Sequence, residues 1–123
     1  MIDIDKLDEF TRQYLETALW SSTDILENGE MGSPLDENYG IEDFDDDTLE
    51  SLITDCEAFQ VENWDMISSN LGQAGHDFWL TRNRHGAGFW DGDWPEEIGK
   101  ILTDRSHVYG SVDLYSHEGK VYT

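Results

Sequence analysis

Basic residues are scarce in this sequence, whose 123 residues include 7 Lys and Arg against 28 Asp and Glu, for a formal net charge of −21 at pH 7. Attraction to nucleic-acid phosphates or to an anionic membrane requires a basic surface. We therefore expect no direct binding to nucleic acid or to a membrane. The partner that this charge favours is a basic protein.

Cysteine and long apolar runs are also nearly missing. The one cysteine, Cys56, excludes an intramolecular disulfide and a cysteine-based zinc cage. No stretch approaches the ~20 apolar residues of a membrane span. Residues 1–8 are acidic, unlike the basic start of a signal peptide. We expect a soluble, cytoplasmic protein without a metal ion or a cofactor.

The sequence does contain enough apolar residues for a folded core. Hydrophobic residues make up 37% of the chain and aromatic residues 12%, including five Trp. This composition is too apolar for a disordered acidic chain. Because the length also suits one folding unit, we predict a single domain over residues 1–123.

The first 42 residues divide into a predicted helix and a predicted loop. Over residues 1–21, apolar residues recur at helical spacing, namely Ile4, Leu7, Phe10, Tyr14, Leu15, Ala18 and Leu19. Over residues 22–42 this period is lost, and Gly, Asn, Ser and Pro predict a long loop.

Residues 43–70 predict a second helix with an acidic face. Asp47 and Glu50 have the spacing of a capping box. An apolar stripe follows, and we interpret Cys56 within it as a small core residue. The opposite side carries the candidate partner-binding carboxylates, which are Asp45, Asp46, Asp47, Glu50, Asp55, Glu57, Glu62 and Asp65.

Residues 75–123 predict the order ββαββ. Aromatic and β-branched residues on either side of residues 83–86 favour a hairpin over residues 76–94. Asp93, as an N-cap, and Pro95 favour the start of a third helix, and Gly119 favours the turn of a second hairpin. The whole chain is predicted to be an α+β fold of order ααββαββ, with three helices and a mostly antiparallel four-stranded sheet. The predicted core includes Leu52, Phe59, Phe78, Leu80, Phe89, Ile98 and Ile101.

Four stretches of this sequence carry a resemblance to a known family. They are ALWSSTD at residues 18–24, PLDENYGIED at 34–43, AGHDFWLTRNRHGAGFWD at 74–91 and YGSVDLYSHEGKVY at 109–122. In this order they resemble a family of small acidic proteins encoded by tailed bacteriophages. The resemblance implies a phage origin and assigns no activity and no functional residue. In this sequence Arg84 stands where the resemblance leads us to expect glycine.

The charge density of residues 43–70 favours mimicry of DNA. Nine carboxylates lie in this segment, which as a helix would span ~40 Å, a length over which one DNA strand carries ~12 phosphates. We predict a non-enzymatic phage accessory protein that binds a basic host protein, as a DNA-mimic inhibitor of a host DNA-binding or defence enzyme. The alternative is that the acidic face only keeps the protein soluble.

Two further hypotheses use the predicted hairpin. In one, an interaction module recognises its partner through residues 76–94, with Trp79, Trp90, Trp94 and Arg84 as anchors, since Trp and Arg are favoured at interface centres. In the other, a small enzyme or metal-binding protein uses side chains of the hairpin as acids, bases or ligands. The residues of this alternative site are His76, Asp77, Arg82, Arg84, His85, Trp90 and Asp91.

Overall fold

The computed structural model describes residues 2–25 and 29–123, which form four helices and two small antiparallel sheets of two strands each. The helices are α1 (Glu9–Ser21), α2 (Asp46–Ile67), α3 (Leu71–Arg82) and α4 (Glu96–Val108). The strands are β1 (Thr23–Ile25), β2 (Met31–Pro34), β3 (Tyr115–His117) and β4 (Lys120–Tyr122). The predicted α+β class is confirmed. The three helices and the four-stranded sheet of the prediction are not, because these segments contain a fourth helix and two separate strand pairs.

The two predicted N-terminal helices are present, and each begins after a capping aspartate. Asp8 accepts a hydrogen bond from the backbone N–H three residues further on (2.7 Å), so α1 starts later than the predicted range 1–21. Asp45 accepts an equivalent bond from Thr48 (3.2 Å), and α2 lies inside the predicted range 43–70. Such side-chain acceptors satisfy N–H groups of the first helical turn, which have no partner within the helix.

The predicted hairpin over residues 76–94 is wrong, because its first half is helix α3. Asn70 caps this helix by accepting a hydrogen bond from the N–H of Gln73 (3.4 Å). Apart from His76, every residue from 74 to 82 is buried. A helix enclosed on all sides lacks the periodic apolar stripe of a surface helix. Without such a stripe, the aromatic and β-branched residues of this segment favoured a strand in the sequence-based prediction.

The predicted loop over residues 22–42 contains the first sheet. Strand β1 pairs with β2, and two 3-10 turns follow, Leu35–Glu37 and Ile41–Asp43. The predicted C-terminal hairpin is confirmed, with β3 and β4 joined at Glu118 and Gly119. This C-terminal hairpin is attached to the start of α2, because the backbone N–H of Asp45 donates a hydrogen bond to the carbonyl of Val121 (2.9 Å).

An aromatic cluster lies at the centre of the core. The rings of Phe59 and Phe78 stack with centroids 4.1 Å apart, and Phe10 and Phe89 pack beside them. Cys56 is buried next to this cluster in the hydrophobic core, as predicted. The predicted core residues that are buried are Leu52, Phe59, Phe78, Leu80 and Phe89.

Helix α4 turns a different face to the core from the one predicted. Its buried residues are Gly99, Leu102 and Ser106, whereas Ile98 is half-buried and Ile101 is 41% exposed. The reason is close backbone packing, since a Cβ atom at Gly99 would lie 2.5 Å from a neighbouring carbonyl oxygen. Among residues 2–25 and 29–123, no helix is long and apolar enough to cross a membrane.

Candidate functional site

Helix α2 presents most of the predicted acidic face to solvent. Its apolar stripe, which includes Leu52 and Phe59, packs into the core and fixes the opposite arc outward. The exposed carboxylates of the predicted set are Asp46, Asp47, Glu50, Glu57, Glu62 and Asp65. Because the helix is anchored along its inner face, these charges form an ordered surface.

Two carboxylates of the predicted set have structural roles instead. Asp45 caps α2 and is half-buried. Asp55 forms an ion pair with Arg82, whose Nη1 lies 2.9 Å from Asp55 Oδ2. Asp55 is therefore not an unpaired carboxylate of the predicted acidic face. Arg82 does not lie at the surface, as the alternative hairpin site would require, since its side chain is 2% exposed.

The buried guanidinium of Arg82 connects four parts of the chain. Besides the Asp55 carboxylate, it donates hydrogen bonds to the Tyr14 hydroxyl and to the carbonyls of Tyr109 and Gly110, each at 2.9 Å. Burial lowers the pKa of Arg82, but neighbouring Tyr14 and Asp55 together raise it above its ordinary value. These partners compensate the buried charge of Arg82, and removing them would be strongly destabilising because the charge would be left unpaired.

The predicted site residues His76 and Asp77 are in contact in the middle of α3. Asp77 is fully buried and accepts hydrogen bonds from Trp94 Nε1 (2.8 Å) and Gln73 Nε2 (3.0 Å). Its Oδ1 also lies 3.1 Å from His76 Nδ1. A carboxylate can orient an imidazole for acid–base chemistry. Here it also fixes Trp94, and hence the segment after α3, to the helix.

Two further aspartates lie beside this pair. Asp91 accepts a hydrogen bond from Gly88 N–H (3.2 Å), and Asp93 accepts one from Gln73 Nε2 (3.3 Å). The negative charge of Asp91 raises the pKa of Asp93, and desolvation adds to the effect. Asp93 is thus not the N-cap of α4. This helix begins after Pro95, and no side chain caps its N-terminus.

These side chains do not form a metal centre. In the part of the chain that the structure describes, no group of three or more His, Cys, Asp or Glu side chains could hold a metal ion. His76 lies in the middle of α3, whereas His85 lies three residues beyond the last residue of that helix. The structure therefore does not bring His76 and His85 into a common ligand group.

The rest of the predicted hairpin site divides between surface and core. Arg84, His85, Trp90 and Asp91 are exposed. Trp90, 55% exposed, borders a cleft of about 510 Å³ with Trp94 and Lys100. Two expected Trp anchors, Trp79 and Trp94, are instead buried in the core.

The sequence reasoning missed an exposed apolar pair on α2. Val61 is 83% exposed and Trp64 is 50% exposed. Both residues lie outside the apolar stripe of the helix when it is drawn at ~100° per residue. That discrepancy was visible in the sequence, because an apolar residue on the polar arc of an amphipathic helix has no place in the core.

Comparison with known proteins gives no relative from which a site could be transferred. No family model matches the sequence, and no curated protein or solved structure is significantly similar to it. The functional argument therefore depends on the arrangement of this chain's own residues.

Proposed function

We propose that this protein binds the basic DNA-contacting surface of a host protein and competes with DNA for it. The observation that carries the proposal is the row of exposed carboxylates on α2, a helix of 22 residues held against the core along its length. A high density of negative charge on an ordered support is also what a DNA strand presents to its binding proteins.

The electrostatics of the whole chain support the same proposal. Residues 1–70 contain 20 of the 28 acidic residues and only two of the 7 basic ones. Exposed carboxylates of α1 and of the segment before it, such as Asp5, Asp8 and Glu16, add to those of α2. A field of one sign accelerates association with a basic partner and is weakened by salt. The protein would act without catalysis, in the cytoplasm of the host if it is phage-encoded.

A competition assay on DNA-cellulose tests the proposal. The DNA-binding proteins of a bacterial lysate are retained on the matrix, and the purified protein is added at low and at physiological salt. Wild type should release discrete proteins at low salt and release them less efficiently as salt rises. Release that is absent, or that is equal at both salt concentrations, contradicts DNA mimicry.

Charge reversal locates the active surface. The variant Glu50→Lys/Glu57→Lys/Asp65→Lys reverses three exposed carboxylates of α2 and leaves the structural Asp55 intact. The control reverses three exposed carboxylates elsewhere, in Asp104→Lys/Asp113→Lys/Glu118→Lys, for the same change in net charge. The α2 variant should lose DNA displacement while the control retains most of it. Equal loss in both would indicate that only total charge matters.

A second candidate function places the partner at the segment after α3. Its supporting observation is Trp90, which is exposed at the edge of a cleft that also contains Lys100. Under this alternative, Trp90→Ala would abolish release of the bound proteins and the α2 reversal would not. The two candidates therefore predict opposite results in one assay.

A further inference from the structure

Val61 and Trp64 form an apolar ridge beside Glu50 and Glu57 on the exposed side of α2. Counting from Glu50, residues 57, 61 and 64 follow at i+7, i+11 and i+14, positions that fall within ~60° of one another around a helix. The two apolar side chains therefore continue the same stripe as Glu50 and Glu57. Both are exposed, Val61 almost completely.

Acidic clefts lie on both sides of this ridge. On one side, Val61 and Trp64 line a cleft of about 410 Å³ together with Asp8, Glu57 and Gln60. On the other side, both residues line a cleft of about 370 Å³ together with Glu62, Asn63, Asp65, Met66 and Arg105. A side chain inserted next to the ridge would therefore meet apolar surface at the centre and carboxylates at the rim. In the second cleft, Arg105 Nε lies 3.9 Å from Glu62 Oε1 and offsets part of the charge of Glu62.

The part of α2 that carries Val61 and Trp64 is held in place by hydrogen bonds to two other helices. Gln60 Nε2 donates a hydrogen bond to Asp8 Oδ2 (3.3 Å), which connects α2 to the start of α1. Buried Asn63 accepts a hydrogen bond from Arg105 Nη1 (2.7 Å), which connects α2 to α4. A surface that is ordered before binding loses less conformational entropy in the complex.

We infer that Val61 and Trp64 are the apolar anchor of the α2 interface, and that they contact an apolar side chain flanked by lysines and arginines on the partner. This inference rests on the proposed function and adds the chemistry of the partner's contact site. Exposed tryptophans are concentrated at energetically dominant interface positions. The carboxylates around the ridge are complementary to a basic segment and provide its charged rim.

Electrostatics disfavour a second copy of this chain as the occupant. A symmetric dimer through this face would place Glu57, Glu62 and Asp65 of one copy against the same residues of the other. Like charges across an interface cost several kcal/mol, and each copy has a formal net charge of −21. In a complex with a basic partner, opposite charges would face each other and this repulsion would not arise.

Adding a negative charge at Val61 distinguishes binding through an apolar anchor from binding through charge alone. Val61→Glu increases the negative charge of the face, which should leave purely electrostatic binding unchanged or tighter. If Val61 makes an apolar contact, the same change should instead raise the concentration needed for half-maximal release from DNA-cellulose by about tenfold or more. Trp64→Ala should raise it by a similar factor, because tryptophan is among the residues whose truncation weakens interfaces most.

Ser51→Glu provides a matched control on the same helix. Ser51 is exposed, and like Val61 it has acidic residues four positions before and four positions after it. The control therefore introduces the same two like-charge pairs within the helix. It should change half-maximal release by less than about threefold. Circular dichroism and sedimentation of each variant verify that it is folded and monomeric.

The results with these variants test the inference separately from the proposed function on which it rests. Weaker release by Val61→Glu and Trp64→Ala, with normal release by Ser51→Glu, supports the anchor. Unchanged or stronger release by Val61→Glu overturns the anchor, and the proposed function survives if the α2 Lys variant is still inactive. Dimerisation of wild type that Trp64→Ala abolishes also overturns the inference. If wild type releases nothing, the proposed function fails and the inference fails with it.

Discussion

Arg82 belongs to a segment that the sequence suggested as a binding site, but its side chain is buried and stabilises contacts within the fold. Its guanidinium has four oxygen partners in the core and lies 5.6 Å from the centre of the Phe78 ring. Removing one partner of a buried charge costs more than the pair contributes, because the remaining charge is left without compensation. Asp55 is therefore the acidic residue of α2 whose loss should affect stability most.

The variant Asp55→Asn should lower the free energy of unfolding by about 1–3 kcal/mol, less than for a fully buried pair because the Asp55 side chain is 32% exposed. Asp65→Asn, at an exposed position of the same helix, should change it by no more than about 0.5 kcal/mol. Urea denaturation of both variants measures the difference. Equal stability of the two would contradict the structural role of Asp55.

Arg84 occupies a backbone conformation that favours glycine. Its φ is +57°, in the left-handed region. Its N–H donates to the Thr81 carbonyl (3.0 Å) and the next N–H, of His85, donates to Leu80 (2.9 Å). These two bonds form a Schellman motif, in which glycine is the usual residue at the position of Arg84.

Arg84→Gly should raise the free energy of unfolding by roughly 0.5–1 kcal/mol. Relief of the left-handed strain, ~1–2 kcal/mol, exceeds the added entropy of the unfolded chain, ~0.4–1 kcal/mol. Arg84→Ala removes the same charge but keeps a Cβ atom, so it should not stabilise the protein. If both variants gain stability equally, charge rather than backbone strain is the cause.

The raised pKa of Asp93 predicts a pH effect on stability. A carboxyl whose pKa is higher in the folded than in the unfolded state binds its proton more tightly when folded. Stability therefore falls as pH rises from the ordinary aspartate pKa, about 3.9, through the raised folded value. Asp93→Asn cannot ionise and should lose less stability over this interval, as thermal unfolding at stepwise pH would measure. An identical pH profile in the two proteins would refute this assignment.

At the scale of elements, the most extensive contact between two elements of the described residues is that of α1 with α3. It depends on Gly75, where a Cβ atom would lie 2.0 Å from the carbonyl oxygen of Phe10. That atom belongs to the backbone of a buried helix and cannot move aside as a side chain can. The absence of a side chain at Gly75 therefore sets the distance between the two helices.

Gly75→Ala should lower the free energy of unfolding by about 1–3 kcal/mol. Alanine improves helix propensity by ~1 kcal/mol, but the cost of forcing the two helices apart is larger. Gly86→Ala is the control, because nothing lies within 4 Å of its Cβ position and its φ is not positive. The control should be neutral or stabilising by up to ~1 kcal/mol. A stable Gly75→Ala protein with unchanged helix packing would contradict this account.

At the scale of the whole molecule, net charge opposes folding. A formal charge of −21 on 123 residues creates repulsion that the compact state increases. Raising the ionic strength from 0.01 to 0.15 M shortens the screening length from ~30 to ~8 Å. The melting temperature should therefore rise by a few degrees over this range, and by less in the α2 Lys variant. A melting temperature that is independent of salt would contradict repulsion as a factor in stability.

Helices α1, α2 and α4 and the C-terminal hairpin could be predicted because their signals are local. Asp45 is followed by an amphipathic pattern that buries Leu52 and Phe59 and exposes Glu50 and Glu57. Helix α3 could not be predicted in this way. It is enclosed by other parts of the chain, so its sequence carries no contrast between an inner and an outer face.

The sequence by itself determined the acidic character of the protein, the position of α2 and the burial of Cys56, because composition and periodicity suffice for each. Only the tertiary structure decided which charges are free. Asp55 and Glu57 are both carboxylates of the same helix, two positions apart, yet Asp55 is paired with Arg82 and Glu57 is exposed. The pairing depends on α3 lying next to α2, a contact between residues 27 positions apart, and no local pattern encodes it.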